Sequence, residues 1–377
     1  MMAMRIPLCL PSVGAKEERA VVAALRSGWV APAGPQLDEF ESRLATVTGR
    51  THAVAVSSGT AALHLALLAQ GIGRGDRVAV STLTFAATVN ALHYIGAEPV
   101  FIDCDEAGLM EVEALEAACV DSLATRRPIR AVMPVDLYGR PADYPRIGQI
   151  AAANGAVVIS DAAESLGASL GGAPAGSFGE VAALSFNGNK IITTSSGGAV
   201  LCSDPETAER VRYLSTQARQ PVVHYEHTEV GYNYRLSNLL AALGLAQLER
   251  LEEILAIKRS HYRAYDEALT GVRGMRVLDA ADGNCWMSVL IVGTESGTDA
   301  WSLSDSLLRR GVETRPVFKP MHLQPVHKGC DRRYITGRAE ELFRTGLALP
   351  SSTDLPPEDR SQVVAEIAAL IDEAVGV

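Results

Sequence analysis

The chain has 377 residues, 47% hydrophobic and 21% charged, a globular balance with length for two or three domains. Its formal charge of −10 disfavours a nucleic-acid binder, which needs a basic face. Six scattered Cys without a CxxC pair fit reduced thiols and a cytoplasmic setting, residues 1–10 do not read as a signal peptide, and no apolar run is long enough to span a membrane.

Strand-like apolar runs occupy residues 53–56, 77–81, 99–102, 131–135 and 156–160. Between them lie amphipathic stretches at 60–70, 88–95, 111–120 and 144–153. Alternation of strand and helix predicts βαβ units and a parallel sheet. The near-continuous Val, Ala and Ile of the strands predicts a sheet covered on both faces. Past Gly231 the pattern changes. Residues 236–255 predict one long helix, carried on in more charged residues to about 269, a spine between two domains. A strand at 286–292 and helices at 301–310 and 357–375 complete a smaller unit. The expected division is a large domain at 1–257 and a small C-terminal α+β domain at 258–377.

Three segments carry chemistry. Ser57-Ser58-Gly59-Thr60 ends a strand and opens a helix. The free N–H groups and positive dipole end of a helix N-terminus suit a phosphate; an ordinary capping Ser is the alternative. A second strand ends in Asp161, followed by Ala162-Ala163-Glu164. Ligands bind at the carboxyl ends of parallel strands, where an Asp can pair with a pyridinium nitrogen and keep the ring an electron sink; capping of the next helix is equally open. Lys190 follows Ser185-Phe186-Asn187-Gly188-Asn189 and lies between two apolar runs. Lys is seldom buried unless paired or reactive, and a desolvated amine forms imines with aldehydes. The alternative is an exposed turn lysine. The order phosphate cradle, ring-nitrogen Asp, imine Lys makes the three segments consistent with one another.

Two other segments carry less. His224-Tyr225-Glu226-His227 has no second ligand cluster, so no metal is expected. Gly71-Ile72-Gly73-Arg74-Gly75 follows a helix and precedes a strand, the wrong order for a dinucleotide fingerprint, which also disfavours a nicotinamide-dependent dehydrogenase.

These residues resemble the DegT/DnrJ-type nucleotide-sugar aminotransferases, a group within the fold-type I enzymes that use pyridoxal 5'-phosphate (PLP). The likeness runs through Gly28-Trp29-Val30-Ala31-Pro32, Ser58-Gly59-Thr60, Asp161-Ala162-Ala163-Glu164, Ser185 to Lys190, Gly231-Tyr232-Asn233-Tyr234-Arg235 and Glu313-Thr314-Arg315-Pro316. It implies an α/β fold, with a large domain on a mostly parallel seven-stranded sheet and a smaller C-terminal α+β domain. It also implies the site. Lys190 would hold PLP through an imine and move protons, and Asp161 would pair with the pyridine nitrogen. Gly59, Thr60 and Ser185 would bind the phosphate, Phe85 would stack on the ring, and Glu164 would lie beside it. Asn233 would reach the phosphate from the other subunit, making a homodimer with shared active sites. Gly28, Trp29, Val30 and Ala31, with Arg315, Pro316, Val317, Phe318 and His322, would line the sugar-nucleotide pocket. Within the family the chain is most similar to UDP-4-keto-6-deoxy-GlcNAc 4-aminotransferases of the bacillosamine type, on residues 187–194, 213–219, 224–227 and 313–316. Phe318 departs from the Trp of that subgroup. The implied reaction moves an amino group from glutamate to a nucleotide-linked keto-sugar. A cyclitol ketone is the alternative substrate. A non-catalytic regulatory protein on the same fold is the alternative of another class, and the presence of Lys190, Asp161 and Asn233 argues against it.

Overall fold

A computed structural model describes residues 5–330 and 332–375; the outer limits of the two expected domains, residues 1 and 377, lie outside the described residues. Two helices come first, α1 (Ala15–Ser27) and α2 (Pro35–Thr48). The chain then alternates through β1 (His52–Val56), α3 (Gly59–Ala69), β2 (Arg77–Ser81), α4 (Ala86–Ile95), β3 (Glu98–Ile102), α5 (Val112–Ala124), β4 (Ile129–Met133), α6 (Tyr144–Ala153) and β5 (Val157–Asp161). A small hairpin, β6 (Ser169–Leu170) and β7 (Ala173–Pro174), leads to β8 (Val181–Ser185), β9 (Gly198–Cys202) and α7 (Pro205–Ser215).

The main sheet has the order β1-β9-β8-β5-β4-β2-β3, and β9 alone runs antiparallel to its neighbours. An eighth strand, only two residues long, joins it beside β3 and is introduced below. The sheet is therefore one short edge strand wider than the seven expected. Side chains alternate between its faces, as period-two strands require. On β1, Val54 and Val56 pack with α3, α4 and α7, whereas Ala53 and Ala55 pack with α2. The second face is completed by α5 and α6. Helix α3 is buried along most of its length, so the stretch expected to be amphipathic at 60–70 is instead covered on nearly all sides, between the sheet and α4 and α7.

The expected single helix at 236–255 is two, α8 (Asn238–Leu248) and α9 (Leu251–Leu269). The backbone leaves helical geometry at Arg250, with φ −104° and ψ 3°. There the guanidinium is drawn onto Glu17 Oε1 at 3.0 Å and Ser12 Oγ at 3.1 Å. A tertiary ion pair, not a Gly or Pro, makes the break.

The second layer is an antiparallel sheet of β10 (Met275–Val277), β11 (Ser288–Val292), β12 (Arg315–Pro316) and, after the short edge strand β13 (Arg333–Tyr334) of the main sheet, β14 (Gly346–Leu349). Helices α9, α10 (Ala300–Arg309) and α12 (Pro357–Val375) share one core with it, and α11 (Arg338–Thr345) leads into β14. The N-terminal strap belongs with this layer. Ile6 bridges Val312, Leu8 N donates to Glu313 Oε2 at 3.0 Å, and Leu10 N donates to Ser352 Oγ at 2.9 Å. The expected division at 257/258 falls inside α9, which runs through it without interruption. No helix among the described residues is long and apolar enough to cross a membrane.

Candidate active site

The carboxyl ends of β1, β2 and β5 and the loop between β8 and β9 open onto one cavity of about 350 Å³. At its floor, Ser58 caps α3, its Oγ accepting from Ala61 N at 3.0 Å. The first N–H groups of a helix have no intrahelical acceptor, so Gly59 and Thr60 present theirs to the cavity they line. Gly198, at the start of β9, backs this turn closely. A Cβ there would come within 2.6 Å of the Ser58 carbonyl and 2.7 Å of Gly59 N, so only Gly allows the approach.

Asp161 ends β5 and is 4% exposed. Its Oδ2 accepts from the Thr88 hydroxyl at 2.7 Å and its Oδ1 from Ala163 N at 3.2 Å. Burial pushes its carboxyl up, while those two donors and the Lys190 charge pull it back.

Lys190 stands on the loop joining β8 to β9, with its backbone N bonded to Asn187 O at 3.0 Å. Its Nζ lies 3.3 Å from Glu164 Oε1 and 4.0 Å from the centre of the Trp286 ring. Glu164 is itself buried, which raises its carboxyl; Lys190 and the Tyr138 N–H, 2.7 Å from Oε2, oppose that. Tyr138 makes this bond from a left-handed backbone, φ 53°, unusual for a bulky residue and of the kind that gathers at functional sites. Its ring stacks between Phe318, 5.2 Å away, and Trp286, 6.1 Å away.

Of the residues expected from sequence, Gly59, Thr60, Phe85, Asp161, Glu164, Ser185, Lys190 and Phe318 all line this cavity. Arg315 and Pro316 line a second cavity, also of about 350 Å³, which shares Asn189, Trp286 and Phe318 with the first. Val317 is turned into the core. His322 is buried between Thr82 Oγ1, 2.7 Å from Nδ1, and Glu340, 3.1 Å from Nε2, and lines neither cavity. Asn233 is exposed, on a bridge to Thr216. Gly28, Trp29, Val30 and Ala31 form an exposed turn after α1, pinned by Asn238 through the Trp29 and Ala31 carbonyls.

Four contributors escape sequence reasoning. Thr88 holds Asp161, Tyr138 holds Glu164, Trp286 covers Lys190, and the strap residues Pro7–Leu10 wall the second cavity. The scarcity of aromatics, 5% of the chain, was the only signal for Tyr138 and Trp286; nothing local marks the strap.

The model of the DegT/DnrJ/EryC1/StrS aminotransferase family matches residues 11–368. The chain is 39% identical over 367 residues to EpsN of Bacillus subtilis (strain 168), assigned as a pyridoxal phosphate-dependent aminotransferase, covering 96% of this chain and 94% of that one. It is 38% identical over 369 residues to GDP-perosamine synthase of Caulobacter vibrioides, covering 96% and 97%. A crystal structure of a DegT DnrJ EryC1 StrS aminotransferase from Brucella abortus superposes with a TM-score of 0.87 at 31% identity, over 94% of this chain and 95% of that one. With a match of that length and a site of that composition, the chain belongs to the DegT/DnrJ/EryC1/StrS aminotransferase family.

Proposed function

We propose that this chain uses PLP to move an amino group from glutamate to a nucleotide-linked keto-sugar. The observation that carries the reading is the convergence, in one cavity, of an amine (Lys190), a buried carboxyl (Asp161) and a helix N-terminus (Gly59, Thr60). That set fits a phosphorylated pyridine aldehyde: an anion cradle at one end, a partner for a ring nitrogen in the interior and an imine-forming lysine between them. PLP, when bound, supplies the electron sink that makes a carbon next to the amine acidic.

The residues divide the remaining work. Gly59 and Thr60 N–H, with the Ser185 hydroxyl, hold the phosphate. Asp161 presents its carboxylate to a cationic ring N–H, oriented by Thr88. Phe85 covers a ring face. Lys190 Nζ, once displaced, takes the proton from the donor α-carbon and later delivers one to the sugar carbon that receives the amine. Glu164 Oε1, 3.3 Å away, steadies the ammonium between those transfers. The second cavity takes the substrate, with Arg315 as a cation for its charged groups. Asn233 serves the neighbouring protomer's phosphate in a homodimer, and its exposure on this chain supports that reading. The turn Gly28–Ala31 borders the path of the nucleotide, and His322, buried behind the Phe85 loop, acts on it only by bracing Thr82.

Residues 187–194, 213–219, 224–227 and 313–316 favour UDP-4-keto-6-deoxy-GlcNAc as the acceptor, giving UDP-4-amino-4,6-dideoxy-GlcNAc. The likeness to GDP-perosamine synthase favours the keto-sugar precursor of GDP-perosamine as the second acceptor. The test is an absorbance spectrum of wild type and Lys190→Ala with PLP, then incubation with glutamate and each keto-sugar, read by mass. A Lys190-dependent band with the UDP amino-sugar supports the first reading. The GDP amino-sugar alone replaces it with the second. No band removes the aminotransferase assignment of these residues.

A further inference from the structure

We propose that Cys9 and Lys258 form a reversible sulfur–nitrogen cross-link, made when a peroxide oxidises the thiol, which ties the N-terminal strap to α9 beside the substrate-side cavity. Lys258 is 2% exposed, an unusual place for an ammonium. Its Nζ donates to the Trp286 carbonyl at 3.3 Å and to the Ser351 carbonyl, and lies 3.6 Å from Cys9 Sγ. No carboxylate is among those partners, and the amino transfer assigns no chemical step to either side chain.

Access and a neighbouring amine single out this thiol. Cys9 lines the second cavity, so a small oxidant reaches it from solvent. Cys104, Cys119, Cys202 and Cys285 are buried. Burial pushes their thiols up, those of Cys119, Cys202 and Cys285 to about 11, which leaves little thiolate to react. Cys330, half-buried, donates to the Pro99 carbonyl. Only Cys9, among the described cysteines, pairs an open approach with an amine in contact.

The chemistry balances in two steps. The Cys9 sulfur attacks hydrogen peroxide; an S–O bond forms, the O–O bond breaks and water leaves. Sulfur loses two electrons to the peroxide and becomes a sulfenic acid. Lys258 Nζ then attacks that sulfur; an S–N bond forms, the S–O bond breaks and the hydroxyl departs as water with one amine proton. Sulfenic acids condense in this way with backbone nitrogen. Desolvation lowers the basicity of Lys258 and so favours the free amine that the attack needs, and its four-carbon stem is flexible enough to close the gap. A thiol reductant cleaves the S–N bond and restores both residues.

The link would be felt at the reaction centre. Cys9 Sγ donates to the Asn189 carbonyl at 3.5 Å, and the Trp286 indole N–H donates to the same oxygen at 2.6 Å. Cross-linking removes the first donor and draws Lys258 from the backbone of Trp286, the residue whose ring covers Lys190.

The experiment treats the full-length PLP-loaded protein with one equivalent of hydrogen peroxide and maps it by intact mass and tryptic peptides. The expected result is a loss of two hydrogens, a peptide pair joined through Cys9 and Lys258, its reversal by dithiothreitol, and its absence in Cys9→Ser. Mapping the wild type does not depend on any variant folding. A sulfenic acid on Cys9 that dimedone traps with no joined pair would overturn the proposal, as would a Cys9 left unmodified.

Discussion

The two cavities that meet at Asn189, Trp286 and Phe318 are built differently. The cofactor side is made from strand ends and a helix N-terminus of the main sheet, and its charged groups are satisfied by fixed partners: Thr88 and Ala163 N for Asp161, Tyr138 N and Lys190 for Glu164. The proposed substrate side is assembled from the strap, β12 and the residues around Trp286. Its charged pair, Glu313 and Arg315, holds at 2.7 Å with the arginine side chain 64% exposed. The rigid half suits chemistry shared by a family, because preorganised groups cost no reorganisation during reaction. The looser half suits selection among acceptors, because specificity is a difference between competing fits.

That contrast can be broken or sharpened by substitution. Lys190→Ala removes the proposed proton carrier and should cut the rate of amino transfer by at least about 10²–10⁴-fold in single-turnover assays; a near-normal rate would relocate the chemistry. Asp161→Asn keeps the shape but loses the charge, and kcat should fall about 10²–10³-fold while cofactor absorbance persists. Trp286→Phe keeps a ring over Lys190 but leaves the Asn189 carbonyl without its indole donor. A loss of about 1–3 kcal/mol in urea unfolding is expected, with kcat and KM both moving because the residue walls both cavities. If KM alone moves, the two halves are more independent than the geometry indicates.

Stability against pH separates the main sheet from the second layer. Asp136 lies wholly buried behind Asp161, and burial raises its carboxyl to about 7 against an ordinary 3.8. The folded state therefore binds the extra proton, and stability is lost as pH rises from about 4 to about 7. His261, under the second sheet, is lowered by burial to about 4 from 6.5. The unfolded state binds its proton first, so stability is lost as pH falls from 6.5 towards 4. Asp136→Asn should flatten the first limb and His261→Gln the second, in thermal melts across that range; identical profiles for both variants would mean that neither group governs its limb. The smallest effect is expected from Arg315→Gln. Its ion pair is exposed and worth less than about 1 kcal/mol of stability, yet KM for a charged acceptor should rise several-fold with kcat little changed.

Legibility in sequence followed the same divide. Ser58-Gly59-Thr60 stand at a strand-to-helix turn, Asp161 at the end of an apolar strand and Lys190 between two apolar runs, local contexts that mark their positions, and the structure gathers them around one cavity. The alternation of elements through 53–160 likewise gave the parallel sheet, because hydrophobic period is a local property. Trp286, Tyr138 and the strap were not legible. Each acts through contacts with residues far along the chain, and no spacing encodes those. The break between α8 and α9 was hidden for the same reason, since Arg250 reaches a partner 233 residues away.

The strap carries one more consequence. Its partners Glu313 and Ser352 lie 305 and 342 residues further on, so the strap finds its place only once those distant segments are present. Loops of that length close late, after local contacts have formed. The β8–β9 hairpin pairs Val181–Ser185 with Gly198–Cys202, near neighbours in the chain, so the loop that carries Lys190 is laid down by short-range contacts, whereas the wall of the second cavity is joined only across hundreds of residues.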